Sequence, residues 1–321
     1  MRLVFLGTPD FAVSSLRVLS NSNHHLVGVV TQPDRPKGRG RRLMPPPVKI
    51  EAERLGVPIL QPEKLTDPAF LDALRSWDAD CFVVVGFRIL PPKVFDIPVK
   101  GTINLHASLL PKYRGAAPIQ WAIINGETKT GVSTFYIQRF VDTGDIILQE
   151  GVDIAPDDTA GSLSGRLAAI GAGLLLQTVE LIDMGKVKRI PQVGDPTPAP
   201  KITPNHCVIN WKKDAKTIIN LIRGLSPLPG AFTEWQGKRL KIYLALHCES
   251  PVSSETQTPG TVLSVSAEGL HVQTGRGAIC LAEVQLEGKR RMSVGEFIRG
   301  ASIAPGDVFQ SPQTENRAGE L

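Results

Sequence analysis

Apolar positions along this chain fall into two rhythms. In one they run together for a handful of residues, as in strands buried on both faces; in the other they recur every three or four, as in helices lying on a sheet. Residues 2–7 give the first run, and residues 10–19 place Phe11, Val13, Leu16, Val18 and Leu19 at helical spacing before a second run at 26–30. That β-α-β opening predicts a parallel, doubly wound sheet. The alternation continues with helices over 48–55 and 68–77 and a short strand at 57–60. Cys81, Phe82, Val83, Val84 and Val85 belong to the most apolar run, 80–87, which is expected at the centre of the sheet. Strands at 101–107, 131–137 and 146–154, a short helix at 118–124 and a long helical pattern at 159–184 complete this half. Gly161, Gly165, Gly171 and Gly173 would let the long helix pack closely on the sheet.

From residue 185 the rhythm changes. Pro191, Pro196, Pro198, Pro200 and Pro204, with Lys186, Lys188 and Arg189 ahead of them, read as an extended linker. Beyond it come a strand at 208–211, a helix at 214–223 and five short strands at 231–235, 240–246, 260–265, 269–274 and 278–286, with a last helix at 293–299. Their spacing predicts a small, OB-like β-barrel. The expected organisation is a Rossmann-like α/β domain with a mostly parallel sheet over 1–188, a linker over 189–206, the barrel over 207–312 and a flexible tail over 313–321.

Composition fits this picture. The 321 residues are 42% hydrophobic and 21% charged, which excludes a disordered chain and leaves room for two domains. No apolar run approaches the roughly 20 residues that cross a bilayer, and residues 2–7 lead straight into a turn, unlike a secretory signal. Cys81, Cys207, Cys248 and Cys280 are scattered without a Cys-x-x-Cys pair, so reduced thiols in the cytoplasm are expected. The net charge of +5 says little until it is located. Residues 34–43 hold five basic side chains and one acid among glycines and prolines, and residues 201–321 carry 14 basic and 11 acidic residues. The first cluster predicts an irregular basic loop on the sheet edge shared with residue 104. Arg39, Arg41 and Arg42 are its candidates for gripping phosphates, a solvated surface loop being the plainer alternative.

The candidate chemistry sits where the strand at 101–107 ends. Asn104 and His106, two residues apart, share one face of that strand, and a polar loop follows, the place where open α/β sheets bind ligands. The turn Phe140-Val141-Asp142-Thr143-Gly144-Asp145 adds an acid. An amide N–H and an imidazolium can both donate to a developing oxyanion, and a carboxylate beside a histidine favours its charged form. Other chemistries have thinner support. Ser108 as a nucleophile lacks a Gly-x-Ser-x-Gly setting. A metal on His106, Asp142 and Asp145 lacks paired His or Cys ligands. The first turn, Gly7-Thr8-Pro9-Asp10, is no dinucleotide fingerprint, and no Walker loop occurs. Residue types thus favour acyl or one-carbon transfer without a covalent intermediate.

Longer motifs carry this further. Asn104-x-His106, then Ser108-Leu-Leu-Pro111-x-x-Arg114-Gly115-Ala-Ala-Pro118-Ile119, then Asp142-Thr-Gly-Asp145, resembles the signature of the N10-formyltetrahydrofolate-dependent formyltransferases. Gly7-Thr8-Pro9-Asp10-Phe11, Thr31-Gln-Pro-Asp-Arg35-Pro with Gly38-Arg-Gly40, Ile209-Asn-Trp211 and Arg223-Gly-x-Ser-Pro-x-Pro-Gly-Ala231 resemble the branch that acts on methionyl-tRNA, over nearly the whole chain. The resemblance implies 10-formyltetrahydrofolate as formyl donor, no metal, and initiator methionyl-tRNA as acceptor. It implies catalysis by Asn104, His106 and Asp142, a folate-site wall from Ser108, Leu109, Leu110 and Pro111, and a basic loop, with Arg39, reaching toward the acceptor arm. The turn at 86–91, beside the pterin pocket, is one residue shorter than the family's and lacks its second glycine. A monomer that engages no membrane is expected. The alternatives are a formyltransferase acting on an amino-sugar nucleotide or a purine precursor, against which the basic loop and second domain weigh, and a non-catalytic RNA-binding protein, against which the complete trio weighs.

Overall fold

In a computed structural model, which describes residues 1–37, 42–248 and 257–312, the apolar runs of the first half assemble into one seven-stranded sheet. Its strands are β1 (Arg2–Gly7), β2 (His25–Val30), β3 (Ile59–Leu60), β4 (Cys81–Val85), β5 (Thr102–His106), β6 (Lys129–Tyr136) and β7 (Ile146–Asp153), in the order β3-β2-β1-β4-β5-β6-β7. The first five are parallel; β6 runs antiparallel to β5, and β7 to β6. The expected mostly parallel, Rossmann-like sheet is what forms. Leu3, Val4, Phe5 and Leu6 of β1 and Phe82 and Val83 of β4 are fully buried, which is why these strands read as unbroken apolar runs.

Helices α1 (Val13–Ser20), α2 (Pro47–Leu55), α3 (Pro68–Ser76), α4 (Pro92–Phe95), α5 (Pro118–Ile124) and α6 (Ala160–Asp183) connect the strands. Proline opens the first turn of α2, α3 and α4, where the missing N–H has no helical partner to lose. Gly171 of α6 lies so close to β5 that an added Cβ would stand 2.8 Å from Leu105 Cδ2, and the Thr178 and Thr134 hydroxyls hydrogen-bond at 2.7 Å to tie α6 to β6. Gly165 and Gly173 face open space, so close packing by glycine applies at Gly171 and not along the whole face. By length and composition α6 could cross a membrane, and half of the qualifying window is buried inside the protein. The expectation that nothing reaches spanning length is corrected to that extent: Arg166 and the glycines break the apolar run without ending the helix.

Two further expectations are corrected. The basic stretch is not wholly irregular, because Arg35–Lys37 and Arg42–Met44 pair as an antiparallel ribbon. Pro36 stands opposite Leu43 in the central pair, a position that need not exchange ladder hydrogen bonds. Residues 208–211 are not a strand. Val208 bridges Phe232, but the Asn210 side chain then accepts from Lys212 N–H at 3.1 Å and turns the chain away.

The C-terminal strands β8 (Ala231–Trp235), β9 (Lys238–His247), β10 (Val262–Val265), β11 (Leu270–Gln273), β12 (Ala278–Leu286) and β13 (Met292–Ser293) form an antiparallel sheet in the order β8-β9-β12-β11-β10, with β13 also on β12. Helices α7 (Ala215–Gly224) and α8 (Val294–Ile298) accompany it. Its core holds Trp211 stacked on Phe309 at 5.7 Å and Trp235 edge-on to Phe297 at 5.7 Å. Met1–Pro118, Lys129–Asp153 and Ser164–Pro200 make one compact unit; Ile119–Thr128, Ile154–Leu163 and Lys201–Leu321 make a second. The two short segments belong to the second unit for local reasons. Gly224 leaves no room for a Cβ against Ile124, Trp121 meets His206 edge-on at 5.2 Å, and Arg223 donates to the Ala155 carbonyl at 3.2 Å. The expected tail at 313–321 lies outside the described residues.

One buried charge joins the first two helices. Glu51 of α2 accepts from Arg17 at 2.8 Å and from Arg54 at 3.0 and 2.6 Å, and these bonds hold its carboxyl down to about 2. A carboxyl depressed on folding stabilises above its unfolded value and loses that stability as pH falls through the folded one. Glu51→Gln should therefore lower the thermal midpoint at pH 7, by the equivalent of about 1–2 kcal/mol because both arginines are solvated. The gap from wild type should narrow as pH falls from about 4.5 toward 2. A gap independent of pH would mean that the carboxylate charge is not what stabilises.

Candidate active site

The pleat of β5 settles which residues work together. Leu105 packs under Gly171 of α6, so its neighbours Asn104 and His106 turn to the other face of the sheet. His106 is 6% exposed, and its Nε2 lies 2.8 Å from the Tyr113 carbonyl. A carbonyl only accepts, so Nε2–H is the donor of this bond. Nδ1 stands 3.8 Å from Asp142 Oδ2, an ion-pair distance when the ring is charged. Asn104 is half-buried, and its carboxamide has no hydrogen-bond partner among the described residues.

Asp142 reaches this place by an indirect route. Ile103 pairs with Tyr136, so the chain leaves β6 beside the beginning of β5 and must double back to bring Asp142 to His106 at the strand's end. Gly144 permits the bend, since a Cβ there would overlap the Tyr136 carbonyl oxygen. Asp142 itself sits at φ +53°, in the left-handed region that aspartate tolerates better than most residues. Gly115 N–H donates to its Oδ2 at 2.9 Å. Gln192 Nε2 donates to the Asp142 and Gly144 carbonyls, both at 2.9 Å.

What holds these donors is the stretch read from its prolines as part of a linker. Residues 197–199 run alongside 113–117. Tyr113 N–H donates to Thr197 Oγ1 at 2.8 Å, Arg114 N–H to the Thr197 carbonyl at 2.9 Å, Ala199 N–H to the Arg114 carbonyl at 2.7 Å and Ala117 N–H to the Ala199 carbonyl at 3.1 Å. The Arg114 guanidinium then donates twice to Gln192 Oε1, at 3.1 and 2.7 Å. Residues 192–199 are a strap across the site loop. Arg114, Gln192 and Thr197 carry it; Arg114 was named from sequence only as part of the signature, without a role, and Gln192 and Thr197 were not singled out. The available signal was alternation: Thr197 and Ala199 sit between Pro196, Pro198 and Pro200, keeping polar backbone groups at every second position.

The loop matched to the folate wall is braced from within. Ser108 is fully buried and its hydroxyl donates to the Lys112 carbonyl at 2.6 Å, which removes it from nucleophilic duty. The Ser133 hydroxyl donates to the Ser108 carbonyl at 2.6 Å and accepts from Leu110 N–H at 3.1 Å and Gln149 Nε2 at 2.8 Å. Leu110 packs on Phe135 and Ile146, and Leu109 lies over Gly131. Of the four wall residues, then, Ser108 and Leu110 turn inward, while Leu109 and Pro111 stay half-buried. At the turn after β4 the Arg88 guanidinium donates to the Pro62 and Glu63 carbonyls at 2.7 and 2.9 Å. Ile89 on that turn, and Phe140 and Val141 beside Asp142, are large apolar side chains left exposed. Arg39 and Arg41 lie outside the described residues, and Arg42 pairs with Lys37 through its main chain. No three His, Cys, Asp or Glu side chains among the described residues gather as metal ligands would.

Residues 1–179 match the family model Formyl transferase, and residues 201–302 match Formyl transferase, C-terminal domain. A methionyl-tRNA formyltransferase of Pelotomaculum thermopropionicum is 48% identical over 310 residues, covering 96% of this chain and 98% of its own. WlaRD, a sugar 3N-formyl transferase solved in the presence of dTDP and 5-N-formyl-THF, is similar in structure with a TM-score of 0.64 at 19% identity, over 90% of this chain and 99% of that one. The methionyl-tRNA formyltransferase from Clostridium thermocellum gives a TM-score of 0.56 at 18% identity, over 78% and 95%.

Replacing Ser133 by alanine strands two buried main-chain groups, the Ser108 carbonyl and the Leu110 N–H, while Gln149 Nε2 keeps its bond to the Leu110 carbonyl at 3.0 Å. Ser133→Ala should cost about 1–3 kcal/mol in urea unfolding. An unchanged midpoint would show that the loop does not depend on this hydroxyl.

Proposed function

The chain belongs to the methionyl-tRNA formyltransferase family, and we propose that in it Asn104, His106 and Asp142 carry out the family's reaction. Enzymes of this family transfer the formyl group of 10-formyltetrahydrofolate to the amino group of methionyl-tRNA, which equips the initiator for translation. The observation that carries the assignment is the juxtaposition at the end of β5: a carboxamide with an open donor beside an imidazole whose free nitrogen faces a carboxylate at 3.8 Å.

The acceptor amine would attack the formyl carbon; as that C–N bond forms, the bond from the formyl carbon to the folate nitrogen breaks, the proton lost by the amine goes to the departing nitrogen, and negative charge develops transiently on the formyl oxygen. Asn104 donates to that oxygen. With Nε2–H committed to Tyr113, the second donor is Nδ1–H of the His106 imidazolium, whose positive charge Asp142 balances. Bound 10-formyltetrahydrofolate supplies the formyl group. The exposed apolar side chains of Phe140 and Val141 beside Asp142, and of Ile89 on the turn after β4, suit a flat ring system, with Leu109 and Pro111 as a wall.

The second unit is read as a small OB-like barrel that helps hold tRNA. In support, Gln310 bridges Glu234 on β8 and Val308 bridges Thr261 just ahead of β10, so one segment touches both ends of the strand order. Its mild basic excess and the arginines at 39, 41 and 42 suit a phosphate backbone. Action in the cytoplasm follows from an acceptor used in translation. The fold alone leaves an amino-sugar acceptor open, since fold likeness extends to a sugar formyltransferase; the sequence likeness favours tRNA.

Incubation with 10-formyltetrahydrofolate and either charged initiator tRNA or an amino-sugar nucleotide should formylate the tRNA, and transfer confined to the sugar would overturn the assignment. His106→Ala should reduce turnover on the order of 10²-fold or more, and near-normal turnover would refute its role. Arg39→Ala should weaken tRNA use and lower the salt slope by about 1; an unchanged slope would count against phosphate contact.

A further inference from the structure

We infer that Gln192 is a positioning residue for this reaction, the side chain that sets the Asp142 carboxylate against His106; the inference rests on the catalytic reading of Asp142. The carboxamide is used completely. Nε2 donates to the carbonyls of Asp142 and Gly144, both at 2.9 Å, and Oε1 accepts Nε and Nη2 of Arg114 at 3.1 and 2.7 Å. Two acceptors on one side and two donors on the other fix the amide's orientation without ambiguity. No other side chain fits both halves, since glutamate would oppose oxygens to two carbonyls and lysine has nothing for the guanidinium to donate to.

The network closes on Asp142 from two sides. Arg114 holds Gln192, which holds the Asp142 main chain, while the next residue, Gly115, donates its N–H to Oδ2 of the same aspartate at 2.9 Å. Asp142 lies in a turn with a left-handed backbone and an apolar tip, Phe140 and Val141, left in solvent, so the apolar core does not anchor it. The separation of 3.8 Å between Nδ1 and Oδ2 is therefore set by this ring of hydrogen bonds. Because a charge's influence falls with distance, loosening the ring should weaken the support for imidazolium without removing any reacting group.

The test is a cycle of Gln192→Leu, Gln192→Glu, Asp142→Asn and the double variant Gln192→Leu/Asp142→Asn in the full-length enzyme, with kcat, KM for charged tRNA and the pH dependence of kcat measured for each. Gln192→Glu is nearly isosteric and keeps its partner Arg114, so its loss would not reflect a cavity. Both Gln192 variants should lose roughly 10–100-fold in kcat, with little change in KM and a pH profile displaced in the same sense as that of Asp142→Asn. In the Asp142→Asn background the leucine should cost less than about threefold, because the carboxylate it positions is already gone. An equal loss in both backgrounds, or a loss confined to KM, would overturn the positioning role while leaving Asp142 catalytic. Full turnover by Asp142→Asn would instead sink the reading of Asp142, and this inference with it.

Discussion

The Arg114 main chain, held between Thr197 and Ala199, is the contact on which the site depends. From it hang the Tyr113 carbonyl that fixes His106, the Gly115 N–H that fixes the Asp142 carboxylate and the guanidinium that fixes Gln192. The need for such a contact follows from topology. β6 is antiparallel to β5, so the turn after it departs from the wrong end of β5 for meeting His106. A parallel strand would have delivered Asp142 to the C-terminal edge directly. Here the turn folds back, and a strand-like strap from much later in the chain must hold it there.

This arrangement divides the work between two kinds of interaction. Apolar burial in β1, β4 and β5 defines the platform, and it is insensitive to detail because any well-packed strand would serve. Directional hydrogen bonds then place the reactive groups on it. Such bonds contribute little net stability each, but they are costly to break when buried and they specify geometry. A site that must stabilise charge as it develops gains most from donors already in place, since reorganising them during the reaction would consume the advantage. The buried Ser133 hydroxyl, satisfying three partners at the base of the loop, belongs to the same scheme.

The same division explains what could be read from the sequence. Buried strands leave contiguous apolar runs, so β1, β4 and β5 were legible, and the two-residue period of a strand paired Asn104 with His106. Asp142 was legible as a type of residue in a turn, while its route to His106 was not, because nothing local encodes an antiparallel crossover. Gln192 and Arg114 are 78 residues apart, and Gln192 and Asp142 are 50 apart; hydrogen bonds of that range have no periodic signature. The prolines at 196, 198 and 200 hid the strap further, since proline argues against strands even where the alternate residues do all the pairing. Where 35–37 pair with 42–44, Pro36 misled in the same way.

The acceptor is chosen by groups outside the sheet platform, and the reason is physical. In the proposed mechanism the platform, the Asn104–His106 pair and the held carboxylate would act on a formyl group and an attacking amine, and they are indifferent to what the amine is attached to. Discrimination must come from groups that touch the rest of the acceptor. For a sugar nucleotide that is a compact pocket; for a charged tRNA it is an extended polyanion, recognised first through its phosphates. Five basic residues within 34–43, in the stretch that follows β2, are poorly suited to a pocket and well suited to a phosphate backbone. Substrate choice in this chain is therefore expected to reside outside the proposed catalytic trio, in segments whose exchange would alter the acceptor while leaving the chemistry of formyl transfer in place.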